Sequence, residues 1–173
     1  MINRALAVQR ALDMVGKQMQ AIEKGEPAPY AYLYGGDGRV ADEKYVRALV
    51  KQYGKAHYTA LFKRTGKTLD DLIKHVVGKE VYDCSQGIVY WTQAPQDMNS
   101  AALIDSCSLQ VPPVNGLAGS VLWKPGHVAL DVGAGMCVDF CEEFVDLRMY
   151  RLRLGLFEKS GQLPWVDYRG TLD

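Results

Sequence analysis

No charge of either sign is in surplus in this sequence: 20 Lys and Arg stand against 20 Asp and Glu. Nucleic acids and anionic membrane surfaces are both met by basic patches, so composition indicates neither as a partner. Long hydrophobic runs are missing too. No stretch comes near the ~18 apolar residues of a membrane-crossing helix, and no membrane span is expected. The first twelve residues lack the apolar core of a secretion signal, because Asn3, Arg4, Gln9 and Arg10 interrupt it. The expectation is a protein without a signal peptide, cytoplasmic as encoded. Cysteine is scarce, with four in 173 residues, too few for a disulfide scaffold at this length, and all four are expected reduced. The Cys137-x-x-x-Cys141 pair has no partner pair with finger-like spacing, so no metal site is expected. Cys137 reads instead as a small buried strand residue. Histidine is scarcer still: His57, His75 and His127 are the three imidazoles.

What is present is a chain of ordinary single-domain size, 173 residues with 48% hydrophobic content, enough for one core. From Ile2 to about Glu23, Val8, Leu12, Val15, Met19 and Ile22 recur at steps of four and three, which predicts one amphipathic helix ended by Gly25 and Pro27. Tyr30 to Gly38 is aromatic and then glycine-rich, an extended segment entering a turn. A helical insert is predicted over about 41–77. Its second half opens on Thr68-Leu-Asp-Asp71, a capping box with Asp in place of Glu. A further helix begins near Cys84 and is limited by Pro95. Residues 94–119, rich in Pro, Asn, Ser and Gly, read as a long connection and a candidate lid. After Gly119 the pattern turns to β-prone runs at 120–123, 127–132, 136–140 and about 147–154, separated by Gly126 and the Gly133–Gly135 turn. Helices first and an antiparallel meander second make an α+β fold. Trp91 and Trp123 are read as core residues.

Two residues in this layout invite a chemical reading. Cys84 stands where a helix should start, and unpaired N–H groups there favour a thiolate and can hold an oxyanion. A base must reach the sulfur. His57 and His75 fall in the charged insert and read as solvated side chains, whereas His127 opens an apolar strand that could aim its ring rigidly. The imidazole also needs an orienting polar group. Asp139 lies across the Gly133–Gly135 turn from His127; Asp131 is the local rival, on the same strand face two steps along.

The order Asp83-Cys84-Ser85, Gly119-Ser-Val-Leu-Trp123, Gly126-His-Val-Ala-Leu-Asp-Val-Gly133 and Val138-Asp139, with Tyr32-Leu-Tyr-Gly-Gly36 upstream, resembles the motif order of NlpC-type cell-wall cysteine peptidases. The resemblance runs from Tyr32 to Phe140. It implies a papain-like fold over 1–173, with Cys84 as nucleophile, His127 as general base and Asp139 in the orienting third position. Tyr32, Asp83 and Ser85 match substrate-binding positions that line the cleft near the free amine of a wall peptide; the Cys84 N–H would be one oxyanion donor with the Tyr32 hydroxyl a candidate second, and no cofactor is implied. Of the three clustered tyrosines, Tyr30, Tyr32 and Tyr34, only Tyr32 is assigned to the cleft. The implied substrate is a peptidoglycan stem peptide or muropeptide, cut near the γ-D-glutamyl to diamino-acid bond. An amidase, deamidase or transglutaminase-like enzyme on the same scaffold, or a catalytically silent binding module, are the alternatives. The chain departs from the pattern in three places: residues 37–82 replace a short link, Gln86-Gly87 replaces Gly-Leu, and Ser120 stands where Asp commonly follows Gly. Without a secretion signal, access to substrate would need a phage or conjugation apparatus, lysis, or a cytoplasmic role in recycling imported wall fragments. Oligomeric state is left open.

Overall fold

The computed structural model describes residues 1–169. In chain order its elements are β1 (Ile2–Asn3), α1 (Arg4–Glu23), β2 (Tyr30–Tyr32), β3 (Asp37–Val40), α2 (Glu43–Tyr53), α3 (Thr59–Thr65), α4 (Leu69–Val76), β4 (Glu80–Tyr82), α5 (Cys84–Thr92), α6 (Ser100–Ser106), β5 (Leu109–Val111), β6 (Val121–Lys124), β7 (His127–Gly133), β8 (Met136–Phe140), β9 (Leu147–Arg151), β10 (Lys159–Gln162) and β11 (Val166–Asp167). A π-helical turn, Gly54–Tyr58, joins α2 to α3. The antiparallel strands β6–β9 follow the helices as expected, but four short strands, β1–β4, are interleaved with the helices before them, and no helix among the described residues is long and apolar enough to cross a membrane.

The main sheet is antiparallel throughout, in the order β5-β10-β6-β7-β8-β9. Its β6–β9 portion is the predicted meander. β10 enters from the far end of the chain and separates β5 from β6, a long-range pairing that no local pattern announces. Along β7 the period of two sends Val128 and Leu130 into the core beneath α1 and α5, while Ala129 joins the smaller cluster of Leu122, Cys137 and Phe157 on the opposite face. Cys137 is fully buried in β8, as expected. A separate three-stranded sheet, β2-β4-β3, carries the Tyr30–Tyr32 segment.

Two helices differ from expectation in informative ways. In α1 the buried face is Ala7, Val8, Ala11, Met14, Val15 and Gln18, whereas Met19 and Ile22 are exposed. The helix has turned onto its small residues, because Ala7 and Ala11 let it lie close against β7 and α5; Gln18 then clamps the backbone of Tyr30 from both sides, at 3.1 Å each way. Secondly, the 94–119 connection is not a bare loop. It contains α6, capped by Asn99, then β5 at the sheet edge and a short 3-10 turn at Pro113–Asn115.

The segment expected as a helical insert contains α2, the π-helical turn, α3 and α4. Thr68 and Asp71 form the reciprocal capping box, and Val46, Leu49, Tyr58, Leu61, Leu72 and Val76 build a second core against Ala31, Leu33 and Val81 of the small sheet. At roughly 1.5–3 kcal/mol per buried large apolar side chain, this core fixes the insert to the strand that enters the site.

Candidate active site

Cys84 is the first residue of α5, and Asp83 is its N-cap, accepting from Gln86 N–H at 2.9 Å and from Ser85 Oγ at 2.8 Å. Asp83, with an extended backbone, is the one residue between the end of β4 at Tyr82 and the start of α5, so strand passes to helix immediately before the sulfur. Gly87 makes the helix fit: a Cβ there would lie 2.8 Å from the Phe140 ring of β8. α5 therefore packs tightly on the sheet and brings Cys84 to the start of β7. There the Val128 N–H, next in chain to His127, favours the thiolate form of Cys84.

His127 lies at the first position of β7. Its Nε2 is 2.7 Å from Oδ2 of Asp139, whose side chain is fully buried. The register explains the meeting: Leu130 pairs with Val138 and Asp131 with Cys137, which by extension sets Asp139 opposite Ala129, diagonal to His127 on one face. Asp139 also accepts from Arg148 Nε and Nη2, at 2.8 and 3.1 Å, and from the Tyr150 hydroxyl at 2.8 Å. Burial opposes its ionisation, but the hydrogen bonds from His127 and Arg148 outweigh that and hold it below the ordinary carboxylate range. An ionised Asp139 only accepts, so Nε2 of His127 carries the hydrogen in this bond, and in the neutral ring that tautomer leaves the lone pair on Nδ1. Asp131 takes no part. Its Oδ1 accepts from Gly133 N–H at 2.8 Å, which resolves the choice between the two aspartates as partner of His127.

Two adjoining cavities flank this pair. One, about 130 Å³, is lined by Cys84, Asp83, Ser85, Asn99 and Ser100; the other, about 320 Å³, by His127, His57, Lys124, Arg148 and Glu142. Tyr32, Tyr34 and Gly126 belong to both. Of the site residues expected from sequence, Cys84, Asp83 and Ser85 line the first cavity, His127 the second and Tyr32 both, while Asp139 lines neither and is joined to the second through its bond to His127; Asn99 and Ser100 of the supposed lid close one side of the first. Tyr32 is buried, and burial with the nearby Cys84 raises its hydroxyl well above the ordinary phenol range, so it stays a proton donor.

Three expectations are corrected. The helix start does not make Cys84 acidic: burial, then the neighbouring Asp83, push its thiol up to about 12, and the Val128 and Ser85 N–H groups offset only part of this. Burial likewise lifts Cys107 to about 12 and Cys137 and Cys141 to about 11. His57 and His75 are not merely solvated: His57 Nε2 meets Glu143 at 2.9 and 3.0 Å, and His75 Nε2 meets Asp146 at 2.8 and 3.0 Å. The same carboxylates accept the Tyr34 and Tyr32 backbone N–H groups, so the insert and the 141–146 loop grip the cleft strand together. Finally, Tyr34 is a cleft residue beside Tyr32, stacked on His57 with ring centroids 4.2 Å apart.

Arg148, Tyr150, Tyr34 and the His57–Glu143 pair were not found by sequence reasoning. Arg148 was within reach, since pairing the run after 147 with that of Asp139 puts the two opposite each other. No family model matches the sequence, and no curated protein is similar to it. Among solved structures, the chain is similar to the P60 domain of antigen MAP1204 from M. avium subspecies paratuberculosis, at 10% identity and TM-score 0.45, covering 89% of this chain and 97% of that one. It is also similar to the peptidoglycan hydrolase RipB of Mycobacterium tuberculosis, at 14% identity and TM-score 0.42, covering 91% and 82%.

Proposed function

We propose that the chain is a cysteine peptidase of papain-like design, one domain with a helical insert, which hydrolyses bacterial cell-wall peptides. The observation that carries this is the buried Asp139 bonded to Nε2 of His127 at 2.7 Å, with Cys84 at a helix start beside the same strand. The motif order from Tyr32 to Asp139 supports the substrate class.

In the proposed reaction His127 Nδ1 takes the Cys84 thiol proton as the sulfur attacks the scissile carbonyl carbon. Because burial and Asp83 push the thiol up to about 12, this transfer accompanies substrate binding and does not precede it as a resting ion pair. The oxyanion is met by the Cys84 N–H and the Tyr32 hydroxyl. The imidazolium, stabilised by Asp139, then protonates the leaving amine as the C–N bond breaks and a thioester remains. Water, deprotonated by His127, attacks the thioester; the acid leaves and the thiol is restored. Asp83, Ser85 and Tyr32 hold the free amine of the stem peptide, and the bond cut lies near the γ-D-glutamyl to diamino-acid linkage. His57 and Tyr34 make the insert part of the cleft wall, where it narrows the range of peptides admitted.

The test is digestion of purified peptidoglycan and of synthetic stem peptides, with mass analysis of the products, by the wild type and Cys84→Ala. New amino termini at the diamino acid, absent with Cys84→Ala, are the expected result. Ammonia release or peptide cross-linking would mean the amidase, deamidase or transglutaminase-like chemistry instead, and no product from any peptide would mean a binding module.

A further inference from the structure

The Asp131 carboxylate, unused by the chemistry above, faces a cavity of about 330 Å³ that shares no lining residue with the two beside Cys84 and His127. Asp131 lies four residues after His127 on β7, which is roughly 13 Å along a strand. We propose that this cavity is a second ligand site, selective for a small apolar molecule bearing an ammonium or amidinium group that pairs with Asp131.

Several observations converge on that chemistry. Asp131 is 6% exposed, yet none of the ion pairs among the described residues includes it. Among the described residues its one side-chain hydrogen bond is from Gly133 N–H. A buried carboxylate left this way is costly to ionise, and burial does raise its pKa; a cation arriving from outside would remove that cost. Its placement is firm, because its backbone N–H is bonded to Ser120 O at 2.9 Å and its carbonyl accepts from Gly119 N–H at 2.7 Å. The walls are apolar: Pro113, Val114, Leu154 and Phe157 surround it, and Val114 and Leu154 are 63% and 89% exposed at the mouth. Such a volume falls at the lower end of the usual range for small-molecule sites, about 300–1,000 Å³. Arg153 also lines the cavity, but it is exposed and its charge is screened by solvent. Asp131 inside, in the lower dielectric, therefore sets the preference for charge sign.

The experiment is an amide NMR titration of the whole chain at neutral pH with three probes of one shape: 2-phenylethylamine, 2-phenylethanol and 3-phenylpropionate. Saturable shifts at Ala118, Gly133 and Gly135 are expected with the amine. The alcohol should bind about tenfold more weakly, the difference of one charged contact, and the carboxylate should not bind. Asp131→Asn keeps an oxygen for Gly133 N–H and removes the charge, so it should bring the amine down to the level of the alcohol. Leu154→Ser, at an exposed position that folding does not depend on, should weaken all binding several-fold and keeps the test open if the Asn variant is unstable. Preference for the carboxylate, equal binding of all three probes, or no saturable shift up to about 10 mM would overturn the proposal, and none of these results bears on activity at Cys84.

Discussion

Arg148 lies directly opposite Asp139 in the β8–β9 ladder and donates to both of its carboxylate oxygens, at 2.8 and 3.1 Å. After the bond from His127, this pair is the next largest influence keeping Asp139 charged, where burial alone would favour the neutral acid.

Arg148→Met should therefore raise the Asp139 pKa, and with it the acid limb of the pH–rate profile, which is read from kcat/KM on a stem peptide. The sign follows from the native state. The folded pKa lies below 3.8, so the stability contributed by ionised Asp139 is complete above the unfolded value of about 3.9 and is lost as pH falls through the folded one. In the variant that loss should begin at higher pH. Arg148 is 41% exposed, so the cost at neutral pH should be modest, about 1–2 kcal/mol by denaturant titration. An unmoved acid limb would mean that Arg148 does not set the charge of Asp139.

Asp139→Ala should lower kcat by roughly ten- to a thousand-fold with KM nearly unchanged. Asp139→Asn should lose less, since its carbonyl still accepts the Nε2 hydrogen, and His127→Ala should be worse than either. Asp131→Ala should leave kcat close to wild type. A crippled Asp131→Ala with an intact Asp139→Ala would reverse the assignment.

Asp83→Asn should make Cys84 more reactive and the enzyme less active at once. The carboxylate is the second-largest influence raising the Cys84 thiol, after burial, so removing its charge lowers the thiol pKa and increases the thiolate fraction at any pH below it. Iodoacetamide labelling of Cys84 at mildly alkaline pH should rise several-fold, while KM for peptides with a free amino terminus increases. Asn caps a helix about as well as Asp, so the melting temperature should hardly move. Unchanged labelling would show that Asp83 does not control the sulfur.

His57→Phe keeps the ring on Tyr34 but leaves Glu143, whose side chain is 0% exposed, with the Tyr34 N–H as its remaining partner. The expected loss is roughly 2–4 kcal/mol, measured by denaturant titration. Adding Glu143→Gln should return most of it by removing the stranded charge. If the double variant were as unstable as the single, the loss would come from packing and not from the ion pair.

Much of the fold was readable because it rests on local periodicity. The capping box at Thr68, the meander from 121 to 151 and the helix start at Cys84 each depend on residues within a few positions of one another. The failures share another cause. α1 buries Ala7 and Ala11 in place of Met19 and Ile22 because close approach to β7 and α5 rewards small side chains, which a search for large apolar residues passes over. β10 is invisible for a similar reason: Lys159 to Gln162 has no alternation, and its place between β5 and β6 is set by long-range pairing.

By itself the sequence determined which groups could do chemistry here: three imidazoles, one cysteine at a helix start, and two aspartates within reach of His127. Tertiary structure decided among them, since only the β7–β8 register puts Asp139, and not Asp131, at Nε2 of His127. It also decided how each group is charged. Position at a helix N-terminus argues for an acidic thiol, but the depth of burial beside Asp83 is a property of the packed molecule, and desolvation there outweighs the helix end and raises the thiol pKa.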